Sequence, residues 1–143
     1  MSGTTIRKLR QISEGGRDLG YFLPPPRNWL ETVEKTEGKK ILHFTFKSQD
    51  EGLVLNPAFE ESTVYSSRNS SDDVRQLLKK GNLKVALREI RKGRNVYRVV
   101  KVPRVWIRSQ ELQRYRKVVA LSVTPESEYL VVKPVFGNKI KQV

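Results

Sequence analysis

No cysteine occurs among the 143 residues. Disulfides and thiolate metal sites are therefore excluded, and the composition suits a reducing cytoplasm. His43 is the single histidine, so no second imidazole exists to share a metal with it. Long apolar runs are also missing. The longest strongly apolar stretches, such as Val118-Val119-Ala120-Leu121, are only a few residues long, far short of a membrane-spanning helix. The opening residues, Met1-Ser2-Gly3-Thr4-Thr5-Ile6, contain no apolar signal core. The chain holds no phosphate-cradling glycine loop, no nucleophile elbow and no paired-carboxylate motif. These absences lead us to expect a cytoplasmic protein that is not an enzyme, with no cofactor, no bound metal, no small-molecule substrate and no membrane partner.

Acidic residues are scarce. Fifteen Asp and Glu face 28 Lys and Arg, a net charge of +13. An excess of that size fits a polyanionic partner such as DNA, RNA or an anionic membrane surface.

What the chain does have is an internal repeat. A shift of 77 positions lays Gly16-Arg17 on Gly93-Arg94 and Pro26-Arg27-Asn28-Trp29-Leu30 on Pro103-Arg104-Val105-Trp106-Ile107. The same shift lays Gly52-Leu53-Val54-Leu55 on Tyr129-Leu130-Val131-Val132, and Pro57-Ala58-Phe59 on Pro134-Val135-Phe136. Twelve of the 44 positions from Gly16 to Phe59 are identical without a gap, and both tryptophans coincide. One residue of slip extends the match upstream, from Leu9-Arg10-Gln11-Ile12 to Leu87-Arg88-Glu89-Ile90. Chance does not produce such a match. We divide the chain into a first repeat (1–60), a polar linker (61–82) and a second repeat (83–143).

Each repeat has the same expected order: strand, strand, helix, strand, strand. The first strands are placed at Arg7–Ile12 and Val85–Ile90, and the second at Leu19–Leu23 and Val96–Val102. Pro26 and Pro103 suit the first turn of short helices over Arg27–Lys35 and Arg104–Arg114, where a missing N–H costs nothing. Hairpins follow, from Ile41–Phe46 into Gly52–Leu55 and from Val118–Val123 into Tyr129–Val132. Ile41, His43 and Thr45 alternate with Leu42, Phe44 and Phe46, as in a half-buried antiparallel sheet. His43 inside such a strand is expected to be structural. Trp29 and Trp106 are expected in the core. In the linker, Ser71 to Gly81 has the signals of a short helix: a Ser cap, early acids, late basic residues and a Gly stop. A fifty-residue unit buries too little apolar surface to stand alone. We therefore expect a mainly β fold in which both ββαββ repeats close one pseudo-symmetric barrel, with the linker helix outside it.

The second repeat carries the clearest family pattern. Leu87-Arg88-Glu89-Ile90-Arg91-Lys92-Gly93-Arg94 leads to Val99-Val100-Lys101-Val102-Pro103-Arg104 and ends in Tyr129-Leu130-Val131-Val132-Lys133-Pro134. The order of strand, Gly-Arg turn, strand, helix-starting Pro and Pro-containing tail resembles the AbrB/SpoVT swapped-hairpin family. Its occurrence twice resembles the tandem, MraZ-like arrangement. The resemblance implies interleaved hairpins, a monomeric pseudo-dimer or homo-oligomer, transcriptional regulation in a nucleoid-associated setting, and DNA contacts around the first two strands and their turn. The first repeat departs from the pattern at Gly15-Gly16-Arg17-Asp18 and at Pro24-Pro25-Pro26.

Charge is not shared between the repeats. Residues 1–60 hold nine basic and eight acidic residues, net +1, whereas residues 83–143 hold fifteen and four, net +11. The expected nucleic-acid-binding set is Arg88, Arg91, Lys92, Arg94, Arg98, Lys101 and Arg104, with a thinner set, Arg7, Arg10 and Arg17, in the first repeat. The leading expectation is a double-stranded DNA-binding regulator. The alternatives are an RNA or single-strand binder, and an antitoxin-like or scaffold module whose basic face meets an acidic protein.

Overall fold

The computed structural model describes residues 3–8, 11–14, 17–50, 52–64 and 70–139. The first repeat gives β1 (Thr5–Lys8), β2 (Gln11–Glu14), β3 (Arg17–Leu23), α1 (Arg27–Glu37), β4 (His43–Gln49) and β5 (Gly52–Ala58). The linker gives α2 (Ser71–Lys80). The second repeat gives β6 (Leu83–Lys92), β7 (Asn95–Val102), α3 (Arg104–Arg114), β8 (Arg116–Pro125) and β9 (Leu130–Lys139).

The antiparallel strands run in the order β1-β8-β9-β5-β4-β6-β7-β3-β2. Strands β1 and β2 lie at opposite ends of that order, yet they are successive in the chain. Together they match the single strand β6, whose first half pairs with β4 and whose second half pairs with β7. In the same way β1 pairs with β8 and β2 with β3. Counting β1 and β2 as halves of one strand gives an eight-stranded, nearly closed barrel in which the two repeats interleave.

The register displays the duplication. Leu23 pairs with Val100 and Val54 with Val131, and each residue is its partner's equivalent under the 77-residue shift. A pseudo-two-fold axis therefore passes through these two pairs. The one-residue slip upstream recurs in the strands: Arg7 lies opposite Leu121 as Val85 lies opposite Phe44.

The barrel is filled by the inward residues of both repeats, including Phe44, Phe46, Leu53, Leu55, Leu83, Val100, Leu121, Leu130 and Val132. Both tryptophans are buried. Trp29 stacks on Phe44, and its Nε1–H donates across the repeats to the Glu126 carbonyl at 2.6 Å. Trp106 is as deep, but its Nε1–H has no hydrogen-bond partner. Phe44 and Phe46 point inward as the alternation requires, but Leu42 precedes β4 and is exposed. His43 is buried on the opposite side of the strand. Residues 58–62 and Lys84 there form, with Glu37, Lys39, His43 and Thr45, the walls of a pocket of about 510 Å³. Burial, and secondarily the Lys84 ammonium, holds the His43 pKa below its usual value.

The helix ends follow local chemistry, with two shifts from expectation. Pro26 and Pro103 are the N-cap residues, one position before the first turn. Their extended ψ lets the Pro26 and Pro103 carbonyls accept from Leu30 and Ile107. The α2 cap is likewise one residue early: Ser70, not Ser71, accepts the Asp73 N–H, at 3.1 Å. Helix α2 forms no part of the strand ring. It packs on β4, β6 and α3 through buried Val74 and Leu78, so the linker is docked onto the barrel.

Candidate nucleic-acid interface

The β6–β7 hairpin begins as barrel wall and ends as an arm. Leu83, Val85, Val100 and Val102 belong to the core. Past that wall, Arg91, Gly93, Arg94, Asn95, Val96 and Tyr97 are all exposed. Lys92 pairs with Asn95, which leaves a two-residue turn, Gly93-Arg94. Gly93 has φ +63 at its first position, the geometry of a type II′ turn, where glycine is favoured because it has no Cβ. The twist of such a turn matches that of the strands it joins, so the turn continues the ribbon without splaying it.

Strand alternation sorts the expected cations onto two sides. Directly opposed residues share a side, so Leu87/Val100, Glu89/Arg98 and Arg91/Val96 continue the inward face. Arg88/Val99, Ile90/Tyr97 and Lys92/Asn95 form the outward face. Arg88 and the Lys92 position are thus outward, Arg91 and Arg98 inward, and Arg94 sits at the turn between the two faces. The run that reads as one crowd in sequence surrounds the arm on both sides.

Arg98 stands apart from the others. Its Nη1 donates to both carboxylate oxygens of Glu34 at 2.8 Å, and the two side chains are only 22% and 16% exposed. This ion pair fastens β7 of the second repeat to α1 of the first. Glu34 also accepts the Ile41 N–H at 2.9 Å, as Glu111 accepts the Val118 N–H at 3.0 Å. The identity of Glu34 and Glu111 in the repeat is explained by that shared bond to the chain seven residues on. The Arg is not repeated, because the position equivalent to Arg98 is Tyr21. Pairing across repeats gives no sequence signal of its own, which is why Arg98 groups with the other cations of the hairpin in sequence.

The remaining expected residues fall in separate places. Lys101 is half-buried in β7 opposite Phe22, and Arg104 is exposed at the start of α3. Arg7 takes the position of the buried Val85: it is half-buried opposite Leu121, with its Nε buried and unpartnered. Arg10 lies outside the described residues. Arg17 opens β3 directly opposite Glu14, and Asp18 lies opposite Ser13. The first repeat's hairpin thus carries two acids beside its turn, Glu14 and Asp18, where the second carries Lys92 and Asn95.

Two apolar groups stand at the arm tip, of which the sequence singles out Tyr97 only as a possible stacking residue and Val96 not at all. Val96 and Tyr97 are 48% and 45% exposed, on opposite sides of the ribbon. The signal was present: both follow the Gly-Arg turn by two or three residues, where a strand has left the core. Tyr97 faces Ile90, so the outward side offers an apolar spot between Arg88 and the turn.

Among the described residues no cluster of His, Asp and Glu could hold a metal ion, and no helix is long and apolar enough to cross a membrane. Comparison with protein-family models, curated proteins and solved structures returned no match to this chain.

Proposed function

We propose that the protein binds double-stranded DNA by laying the β6–β7 arm in the major groove, and that it acts there as a transcriptional regulator of the tandem AbrB/SpoVT-like kind. One observation carries this reading: a two-stranded arm bears exposed Arg88, Arg91 and Arg94. From the wall pair Leu87/Val100 to the turn the arm spans five residues of each strand, or roughly 17 Å. The major groove is about 12 Å wide and about 8.5 Å deep and admits a two-stranded ribbon. Arg94 at the turn is placed to meet base edges, where guanine accepts a bidentate guanidinium. Arg88 and Arg91, on opposite sides, are placed to meet the phosphates of the two groove walls. Arg98 is assigned to holding the arm's base against α1.

Single-stranded nucleic acid is a weaker fit. Base stacking needs a platform of exposed aromatics. Both tryptophans are buried, and the exposed Tyr97, Tyr115 and Tyr129 are scattered over β7, the end of α3 and the β8–β9 turn. The test is a competition between a labelled DNA duplex and unlabelled duplex, single-stranded DNA and RNA of equal charge, at two salt concentrations. Duplex DNA should compete best at both. Equal or better competition by single strands at the higher salt overturns the duplex reading.

A further inference from the structure

The two repeats share a fold, so each surface of one has a reference surface on the other. The outward faces of α1 and α3 differ in one direction at successive positions. On α1 the solvent side is Arg27, Asn28, Glu31 and Lys35, with Arg27 and Glu31 in an exposed ion pair at 3.2 Å. That is an ordinary solvated helix face. The equivalents on α3 are Arg104, Val105, Arg108 and Leu112. The exposed Asn becomes a Val half-buried against the core, while on the solvent side the acid becomes Arg and the Lys becomes Leu. The residue closing the helix changes from Gly38 to Tyr115.

The result is an unusual surface. Leu112 is 73% exposed and Tyr115 is 66% exposed. At helical spacing Arg108 and Leu112 stand at i and i+4, on the side away from buried Trp106, Ile107 and Gln110, and exposed Tyr115 follows at the left-handed C-cap. Residues 104–117 hold five cations and one acid, Glu111, whose carboxylate already accepts the Val118 N–H. The equivalent residues 27–40 hold four cations and three acids.

We infer that the outward face of α3 is a docking surface for an acidic protein segment with apolar anchor residues, such as an amphipathic helix with leucines on one side and carboxylates around them. Leu112 and Tyr115 receive the apolar anchors, and Arg108 and its neighbouring cations meet the carboxylates. A phosphate backbone gains nothing from an exposed leucine at the centre of the face. A second copy of this chain is disfavoured by like charge, because each carries +13. Helix-in-groove and helix-on-face recognition uses anchors at this same spacing. This inference does not depend on DNA binding, because the face lies on α3 and not on the arm.

The full chain, labelled with ¹⁵N, is titrated with a synthetic helical peptide of glutamate and alanine that carries leucines at i, i+4 and i+7. Two control peptides replace its glutamates by lysine or its leucines by serine. Saturable shifts confined to amides 104–117 are expected with the Glu/Leu peptide alone. Arg108→Glu and Leu112→Lys install the first repeat's residues at exposed positions, and each should weaken binding about tenfold, the scale of losing one buried leucine or one charge contact. Arg94→Ala should leave binding unchanged. Equal binding by the serine peptide, equal binding to Leu112→Lys, or absence of any shift overturns the proposal. So does a titration in which a DNA duplex moves amides 104–117 and the Glu/Leu peptide does not, which gives the face to nucleic acid instead.

Discussion

Changing Arg88, Arg91 and Arg94 together to Ala should alter the salt dependence of DNA binding more informatively than its strength. All three side chains are exposed, and among the described residues none has an ion pair to a carboxylate. Each phosphate contact contributes about −0.9 to the slope of log affinity against log salt. Losing three contacts should therefore flatten the slope by about 2.7. Between about 50 and about 200 mM salt, the parent's affinity should fall about fortyfold more than the variant's. If Arg94 meets a base instead of a phosphate, the flattening drops to about 1.8, and the missing share appears as reduced discrimination among duplex sequences. Fluorescence anisotropy of a labelled duplex at four salt concentrations reads the slope. The companion variant, Arg7, Arg10 and Arg17 to Ala, should change the slope by less than about 1, because Arg7 has its Nε buried and Arg17 opens a strand opposite Glu14. Parallel lines for the parent and the first variant would refute the arm's role. Equal flattening by both variants would refute the asymmetry.

Other expectations concern the scaffold. Tyr115 closes α3 at φ 52, ψ 36, where the equivalent Gly38 closes α1 at φ 70, ψ 19. Tyr115→Gly should stabilise the protein by about 1 kcal/mol, raising the melting temperature by roughly 2–4 °C. Gly38→Tyr should destabilise it similarly, since an added Cβ meets nothing within 4 Å and only backbone strain remains; unchanged thermal melts for both would contradict this. Arg98→Met should lower stability by about 1–2 kcal/mol in urea unfolding while leaving the salt slope of DNA binding near that of the parent, because the guanidinium is spent on Glu34. A large slope change in that variant would return Arg98 to the interface. The native pKa of His43 lies below 6.5, so the unfolded chain takes up a proton that the folded one resists. His43 thus contributes stability that is present above pH 6.5 and is lost as pH falls toward the folded value. His43→Gln should remove that part of the decline between about pH 6.5 and about pH 5, as measured by unfolding at several pH values.

The architecture was legible because it is written twice. The strands, both short helices and the docked linker helix follow from periodicity, proline, glycine and serine signals that recur at a fixed shift. The barrel followed from a size argument, since neither repeat has enough inward residues to close alone. The extent of each strand was less legible. β6 and β9 run to ten residues, beyond their apolar centres, because hydrogen bonding continues into the arm and the tail after burial has ended. The candidate site was half legible. Counting charge located the second repeat's hairpin, but side-chain direction depends on register. Only the pairing of Glu89 with Arg98 and of Arg88 with Val99 separates inward cations from outward ones. Contacts between the repeats, such as Arg98 with Glu34 or Trp29 with Glu126, join residues 64 and 97 positions apart and leave no local trace.

The pseudo-two-fold axis through Leu23/Val100 and Val54/Val131 has a further meaning. A barrel assembled from two identical chains shows every feature twice, and any alteration to one flank is copied to the other. Joining the halves in one polypeptide removes that obligation. Here the backbone has kept its symmetry while the chemistry has lost it: one hairpin is mixed in sign and its mate is cationic, one helix face is salt-paired and its mate is greasy. The molecule therefore has a heads and a tails. On the proposed duplex target it would have a direction, and a partner docked on α3 would lie to one fixed side.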